Sequence, residues 1–273
     1  MQNEENRPLF SIITVCYNEE NNIRKVIESI LNQDYLDYEY LIIDGKSNDK
    51  TIDIICDYQE KFSGKMQWIS EKDKGLYDAM NKGIQMANGK YIAFINADDV
   101  LESGILNKIS YFLQEDNPDI LYGDSINIYK YQKLTTKKIK KANPNISVNS
   151  LRNGMGVVHQ SIFTRTEYIK KMGGFDINFK IGADWDFLIR SVKSGARLKY
   201  IEEPVSTFQT DGVSARVHNK ERHKIRKKNK MYKYIDWSMI KDYLRIGTMI
   251  QLVIGNNNYV KLRYFYNKIR YGL

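Results

Sequence analysis

Short apolar runs alternate with amphipathic segments over the first hundred residues. Runs that predict buried strands occupy residues 10–17, 38–43, 66–69 and 91–95. Segments with helical spacing lie between them, at residues 18–33, 50–62 and 76–87. In the first of these, one helical face carries Ile23, Ile27, Ile30 and Leu31. Alternating strands and helices predict right-handed βαβ units and an α/β fold, with a mostly parallel sheet flanked by helices.

Carboxylates follow two of these predicted strands. Asp44 ends the second strand, and the fourth runs into Asp98 and Asp99 (YIAFINADD, residues 91–99). Ligands of parallel sheets bind where the strands end, so we expect these acids to meet in one crevice. Asp98 and Asp99 suit a divalent cation, and through it a diphosphate, whereas Asp44 suits a base N–H or a ribose hydroxyl. The alternative is an exposed turn whose acids only cap the next helix.

Other features exclude several classes of protein. The first predicted strand lacks the glycine fingerprint of dinucleotide-binding folds, and no Walker lysine is present, which disfavours NAD and ATP. Cys16 and Cys56 sit inside apolar patterns, so we expect two buried thiols in a reducing compartment. The first ten residues lack a signal-peptide core, and no apolar run approaches the roughly 20 residues that span a bilayer. These features predict a cytoplasmic location.

The positive charge is concentrated at the C-terminal end. The net charge is +9, but residues 216–273 alone hold 15 Lys or Arg against 3 Asp or Glu. Residues 1–215 therefore carry a net charge of −3. This shift predicts a domain over residues 1–215, followed by a basic, aromatic, helical tail over residues 216–273.

Four segments, in this order, resemble the family 2 glycosyltransferases. They are residues 11–19 (SIITVCYNE), 42–51 (IIDGKSNDKT), 70–83 (SEKDKGLYDAMNKG) and 94–99 (FINADD). The resemblance runs from about Leu9 to Gly212, and it extends to the enzymes that build bacterial surface polysaccharide and O-antigen. It implies a GT-A fold, a nucleotide-sugar donor, Mg²⁺ or Mn²⁺, and inversion at the anomeric carbon. Residues 9–100 would be the nucleotide-sugar half and residues 101–215 the acceptor half.

The resemblance also implies a set of donor-binding residues. These are Val15, Tyr17, Glu19, Asp44, Lys72, Asp73, Asn96 and Asp98. Residues 96–98 occupy the family's Asp-x-Asp position, with an amide in place of the first acid. An amide can still contact ribose, and the metal would fall to Asp98 together with Asp99.

The catalytic base is expected at the start of a later helix. Residues 182–190 (GADWDFLIR) resemble the family's Glu-Asp-x-Asp segment, which implies that Asp184 is the base. Ala183 replaces the first acid of that segment, and Asp186 lies on another face of a regular helix. The alternative is that Asp184 only stabilises the N-terminus of the helix through its dipole.

Three residues are candidates for contacting the acceptor. His159 and Gln160 interrupt a predicted apolar strand at residues 157–163 (VVHQSIF), which resembles a family segment near the acceptor. A histidine satisfied within the core is an equally good interpretation. Trp185 would stack on a sugar ring or belong to the core.

The basic tail and the lysine-rich segment admit more than one partner. Basic residues beside apolar and aromatic segments predict peripheral contact with the inner face of the cell membrane, which suits a lipid-linked acceptor. The alternative is a helical appendage packed on the domain. Residues 130–141 hold six lysines and no acid. This composition predicts either a solvated loop or a contact for an anionic acceptor. His218 is a loose candidate for a third metal ligand, and no motif indicates nucleic acid.

The sequence therefore predicts an enzyme that moves a hexose or N-acetylhexosamine from a nucleotide-diphosphate sugar to a glycan hydroxyl. UDP is the expected carrier because Asp44 suits an imide N–H, although dTDP presents the same edge. Three other classes remain. The basic tail could bind nucleic acid, although no recognised motif supports it. The others are a nucleotide-sugar-binding protein without catalysis, given Ala183 and Asn96, and a nucleotidyltransferase, whose glycine-rich basic motif is absent.

Overall fold

The computed structural model describes residues 7–131, 134–209 and 219–231. The strands are β1 (Phe10–Cys16), β2 (Tyr38–Asp44), β3 (Met66–Ser70), β4 (Tyr91–Phe94), β5 (Val100–Leu101), β6 (Ile120–Tyr131), β7 (Leu134–Lys140), β8 (Ile162–Arg165) and β9 (Leu198–Gln209). The helices are α1 (Ile23–Leu31), α2 (Thr51–Gln59), α3 (Leu76–Met86), α4 (Ile105–Glu115), α5 (Thr166–Lys171), α6 (Ala183–Lys193) and α7 (Asn219–Lys228). The strand–helix alternation predicted for the first hundred residues is confirmed.

One half of the sheet is parallel and the other is mixed. The described strands form a single sheet in the order β3-β2-β1-β4-β8-β6-β9-β5, with β7 paired to β6. The first four strands in that order are parallel, as predicted. Beyond β4, β8 is antiparallel to both β4 and β6, while β9 runs parallel to β6. The carboxyl ends of the four parallel strands therefore lie along one edge.

The core forms where apolar helix faces cover the sheet. On α1 the residues Ile23, Val26, Ile27 and Ile30 are all fully buried, which confirms the predicted face. Beneath them lie strand residues such as Phe10 and Tyr40. Strands buried on both faces read as continuous apolar runs, which explains why the sequence identified them.

Two expectations about local structure were wrong. Cys56 is exposed, whereas Cys16 is buried, because the buried face of α2 is formed by Thr51, Ile55 and Tyr58. His159 and Gln160 do not lie in a strand but in a short 3₁₀ helix, His159–Ser161, that precedes β8. The Ser161 N–H closes this turn on the Val158 carbonyl.

The chain divides into two compact units, Met1–Glu221 and Arg222–Leu273. The sequence placed its boundary after residue 215. His218 and the aromatic part of the tail lie outside the described residues, so the expectations about them stay predictions. Among the described helices, none combines the length and the apolar character needed to cross a bilayer.

Candidate active site

Asp44 is buried at the end of β2 and is held by its neighbours. The Ser47 N–H donates to Oδ2 at 2.9 Å, the Ser70 hydroxyl donates to Oδ2 at 2.7 Å, and the Ser47 hydroxyl donates to Oδ1. Cys16 lies beside it, and burial, reinforced by the Asp44 charge, raises the pKa of the Cys16 thiol far above its ordinary value. Strand register produces this cluster, because Cys16, Asp44 and Ser70 are aligned across β1, β2 and β3. Asp44 is therefore a buried carboxylate held in place at this edge of the sheet.

Tyr17 and Asp73 flank Gly45 at the same edge. A Cβ added to Gly45 would lie 2.6 Å from Asp73 Oδ2 and 3.4 Å from the Tyr17 ring. The Tyr17 side chain is 59% exposed, so its ring is open to a planar ligand. Asp73 accepts the Gly75 N–H, which fixes the loop before α3. Two predicted donor residues from separate segments are thus brought together.

Val15 and Lys72 complete the predicted nucleotide residues. Val15 is buried within β1, so only its position at the strand end brings it near the edge. Lys72 is exposed on the loop between β3 and α3, and its carbonyl accepts a hydrogen bond from Lys82 Nζ.

Glu19, Asp98 and Asp99 form an acidic cluster beside the end of β4. Burial and the charge of Asp98 raise the pKa of Asp99 to about 8. Burial raises the pKa of Glu19 as well, and the Asp98 charge adds to that shift. The Asp98 charge therefore disfavours the ionised form of both neighbouring acids, and a cation bound at Asp98 would offset that charge.

Both carboxylate oxygens of Asp99 accept hydrogen bonds from other residues of the protein. Its side chain is 1% exposed, Oδ2 accepts the Gln160 amide at 2.5 Å, and Oδ1 accepts the Gln209 N–H at 3.0 Å. Gln209 also donates from its side chain to the Asp98 carbonyl at 3.1 Å. Asp99 thus anchors the acidic turn to β9 and to the 3₁₀ helix. This arrangement disfavours the expected role of Asp99 as a metal ligand and that of Gln160 as an acceptor contact.

The turn nevertheless suits a divalent cation. The Asn96 side-chain oxygen is buried and, among the described residues, has no hydrogen-bond partner. It lies two positions from Asp98, which is half-buried. No group of three or more His, Cys, Asp or Glu side chains that could hold a metal occurs in the described parts of the chain. An amide and a carboxylate oxygen suit a hard cation whose other ligands come from a diphosphate or from water.

Asp184 lies in the first turn of α6 and is 17% exposed. Its Oδ1 accepts the Trp185 N–H at 2.8 Å and lies 2.9 Å from the Tyr77 hydroxyl. Its Oδ2 is 3.9 Å from His159 Nδ1. Asp186 is fully buried and pairs with Arg190 in the same helix, away from Asp184, as expected. One carboxylate oxygen is therefore held while the other faces the histidine.

The other two acceptor candidates have different surroundings. His159 packs between the rings of Phe94 and Phe175, and burial lowers its pKa, although the Asp184 charge opposes the shift. A neutral imidazole beside Asp184 remains suitable for contacting a hydroxyl group of a ligand. Trp185 is buried, and its indole N–H donates to the Leu151 carbonyl at 2.8 Å. Its burial fits the core interpretation rather than stacking on a sugar.

Sequence reasoning missed two residues around Asp184. Tyr77 belongs to the third motif, but its hydroxyl was given no role. The Glu221 carboxylate accepts the backbone N–H groups of Lys180, Ile181 and Gly182, at 3.1, 2.8 and 2.8 Å. Its only signal was its acidity within a strongly basic segment. Both residues fix the loop that leads into α6.

Comparisons with known proteins identify the family of the chain. The family model described as glycosyl transferase family 2 matches residues 11–173. The chain is also 30% identical, over 218 residues, to a PGL/p-HBAD biosynthesis glycosyltransferase of Mycobacterium tuberculosis, covering 78% of this chain and 82% of that protein. The chain belongs to glycosyl transferase family 2. It is therefore a transferase enzyme.

More distant relatives extend the comparison. An uncharacterized glycosyltransferase from Methanocaldococcus jannaschii is 29% identical over 247 residues, covering 86% of this chain and 80% of its own. The structure of S. aureus TarS 1-349 in complex with UDP-GlcNAc superposes with a TM-score of 0.66 at 18% identity, covering 84% of this chain and 68% of that one. A longer TarS structure is matched over only 38% of its length.

A second enzyme shares the fold. A mannosyltransferase from Pyrobaculum calidifontis, in complex with GDP-Man and Mn²⁺, has a TM-score of 0.57 at 18% identity, covering 78% of this chain and 59% of that one. These structural similarities confirm the expected GT-A fold.

Proposed function

We propose that this family 2 enzyme is an inverting glycosyltransferase that moves a hexose or N-acetylhexosamine from a UDP-sugar to a hydroxyl of a glycan acceptor. The observation that carries the proposal is the position of Asp184. Its Oδ1 is held by the Trp185 N–H and lies beside Tyr77, while Oδ2 faces His159. A fixed carboxylate with one oxygen directed to a neutral histidine suits a general base for an acceptor hydroxyl.

The donor would lie along the strand-end edge. The exposed Tyr17 ring supports a stacked base, and Asp44 and Asp73 border the same place. The UDP and UDP-GlcNAc complexes of a protein with the same fold support a uridine carrier, and the GDP-Man complex of another makes GDP the competing choice.

A divalent cation, Mg²⁺ or Mn²⁺, fits at Asp98 and the Asn96 side-chain oxygen. When bound, it would supply positive charge that stabilises the diphosphate as a leaving group. The Mn²⁺ in the mannosyltransferase complex supports this proposal. Asp99, held by Gln160 and Gln209, would keep the turn in place.

The transfer then follows from the residues on both sides of the sugar. Asp184 takes the proton of the acceptor hydroxyl as that oxygen attacks the anomeric carbon. The bond from that carbon to the phosphate oxygen breaks on the opposite face, and its electron pair stays with the diphosphate. Attack from the opposite face inverts the configuration at the anomeric carbon.

The acceptor is proposed to be lipid-linked, as in bacterial surface-polysaccharide synthesis. The exposed lysines of β7, among them Lys137 and Lys138, lie in the strand paired with β6 and suit an anionic group on such an acceptor. Peripheral contact with the inner face of the cell membrane and a cytoplasmic location belong to the same proposal. The basic tail supports them through its charge alone.

Nucleoside diphosphate release from UDP-, dTDP- and GDP-sugars tests the proposal. With Mg²⁺ or Mn²⁺, we expect slow release from UDP-sugars by the wild type and a loss of at least 100-fold in Asp184→Asn, which should still bind the donor. The configuration of the product, read by NMR, tests inversion. Binding of a donor without any turnover, with candidate lipid-linked acceptors present, would instead identify a nucleotide-sugar-binding protein. Turnover of Asp184→Asn at the wild-type rate would rule out Asp184 as the base.

A further inference from the structure

Tyr77 is a buried tyrosine whose hydroxyl lies between two acceptors. The residue is 3% exposed, and its ring packs against that of Phe175. The hydroxyl oxygen is 2.6 Å from the Ile181 carbonyl oxygen and 2.9 Å from Asp184 Oδ1. These partners lie 104 and 107 positions away in the sequence, so only the fold brings them together.

A phenol has one hydrogen and therefore donates to one of these acceptors at a time. Burial and the charge of Asp184 both raise the pKa of Tyr77 well above its ordinary value, which keeps the phenol neutral and able to donate. A hydrogen bond to an ionised carboxylate is stronger than one to a neutral carbonyl. The hydroxyl therefore donates to Asp184 while Asp184 is ionised.

We propose that Tyr77 positions Asp184 for catalysis and that its hydrogen changes partner when Asp184 takes up a proton. The hydroxyl and the Trp185 N–H hold Oδ1, which directs Oδ2 toward His159 and the acceptor. This inference rests on the proposed role of Asp184 as the base.

The proton balance is simple. The hydrogen of the acceptor hydroxyl moves to Oδ2 of Asp184 as the new glycosidic bond forms. Oδ1 then loses its charge, and the Tyr77 hydrogen turns to the nearer Ile181 carbonyl. Tyr77 neither gains nor loses a proton. Both protonation states of Asp184 thus keep the Tyr77 hydrogen paired, so a buried donor is never left unsatisfied.

Glu221 supports the same arrangement from the backbone side. Its carboxylate accepts three successive N–H groups, of Lys180, Ile181 and Gly182, and so fixes the peptide whose carbonyl receives the Tyr77 hydrogen. The Ile181 carbonyl is therefore a fixed second acceptor for the tyrosine.

The test is Tyr77→Phe, with Tyr38→Phe as a matched control. Tyr38 is also buried, and its hydroxyl donates to the Ile30 carbonyl at 3.2 Å. We expect Tyr77→Phe to lower kcat by about 10- to 100-fold, because a base displaced by even 1 Å loses efficiency of that order. The Kd for the UDP-sugar should stay within about twofold, and Tyr38→Phe should keep the wild-type kcat.

A double variant separates positioning from general damage to the protein. Adding Tyr77→Phe to Asp184→Asn should cause no further loss of residual turnover, because the residue acts only through Asp184. A wild-type kcat in Tyr77→Phe would overturn the inference, and so would additive losses in the double variant or an equal loss in Tyr38→Phe. Wild-type turnover in Asp184→Asn would instead overturn the proposed function itself.

Discussion

The Gln160 amide donates a hydrogen bond to Asp99, with Nε2 2.5 Å from Oδ2, and so joins residues 61 positions apart in the sequence. Both side chains are buried. The bond ties the acidic turn after β4 to the 3₁₀ helix before β8. It helps to hold a turn that carries adjacent carboxylates, in which Asp99 is buried and Asp98 is half-buried near Glu19.

Replacing Gln160 by leucine should loosen this turn. Oδ2 of Asp99 would lose its donor, and we expect a loss of about 1–3 kcal/mol in the free energy of unfolding. Affinity for a UDP-sugar in the presence of Mn²⁺ should fall at the same time, because Asp98 is carried by the same turn. Urea unfolding and calorimetric titration measure the two effects.

A matched control is Thr166→Val. The Thr166 hydroxyl is also buried and donates to the Gly89 carbonyl at 2.6 Å, at the opposite end of β4. This variant should lose stability but keep its donor affinity. Equal losses of donor affinity in both variants would show that the effect of Gln160 is not local to the acidic turn.

Removal of the divalent cation should abolish donor turnover. With EDTA, we expect nucleoside diphosphate release by the wild type to fall to background, and Asp98→Ala should release none with or without Mn²⁺, since the diphosphate would lack its counter-charge. Asp116→Ala serves as a surface control, because Asp116 pairs with Lys199 at 3.7 Å. Metal-independent turnover in the wild type would contradict the proposed cation.

Protonation of His159 should make stability depend on pH. Burial lowers the pKa of His159, so below about pH 6.5 the unfolded chain binds a proton that the folded chain does not. Unfolding then takes up a proton, and stability falls as the pH is lowered, by at most about 1.4 kcal/mol per pH unit for this group. Urea unfolding between pH 5 and 7.5 measures the slope.

His159→Phe should flatten that slope, because an apolar ring between Phe94 and Phe175 has no proton to gain. An unchanged slope in the variant would assign the pH dependence to other groups. The variant would also test the acceptor contact, since a neutral imidazole that touches the acceptor should raise KM for the acceptor when removed.

Glu221→Ala should reduce both stability and turnover. Three backbone N–H groups before α6 would lose their acceptor, and we expect a loss of about 1–3 kcal/mol in the free energy of unfolding. We also expect a lower kcat, because the first turn of α6, which carries Asp184, would be less well fixed. Glu115→Ala, at an exposed position at the end of α4, provides the control. A stable variant with normal kcat would mean that the N–H groups are satisfied without Glu221.

The ends of the parallel strands were predictable from the sequence, because the pattern that marks them lies in consecutive residues. The apolar runs before Asp44 and Asp98 marked buried parallel strands, and parallel strands put their ends at one edge. Cys56 was wrongly predicted to be buried, because a residue adjacent to the buried face of a helix has nearly the same sequence surroundings as a residue within that face. Gln160 was given an acceptor role from its place in a family segment, and Trp185 because its ring suits a sugar, but their hydrogen bonds to Asp99 and Leu151 are with the protein.

By itself the sequence determined the strand–helix alternation, the family and the candidate base, because hydrophobic period and motif order are written along the chain. The tertiary structure decided which oxygens are occupied. Oδ1 of Asp184 lies beside Tyr77 and both oxygens of Asp99 are held, through partners that are mostly 61 to 110 positions away. Such pairings depend on how strands are ordered in the sheet, and no local pattern of residues encodes that order.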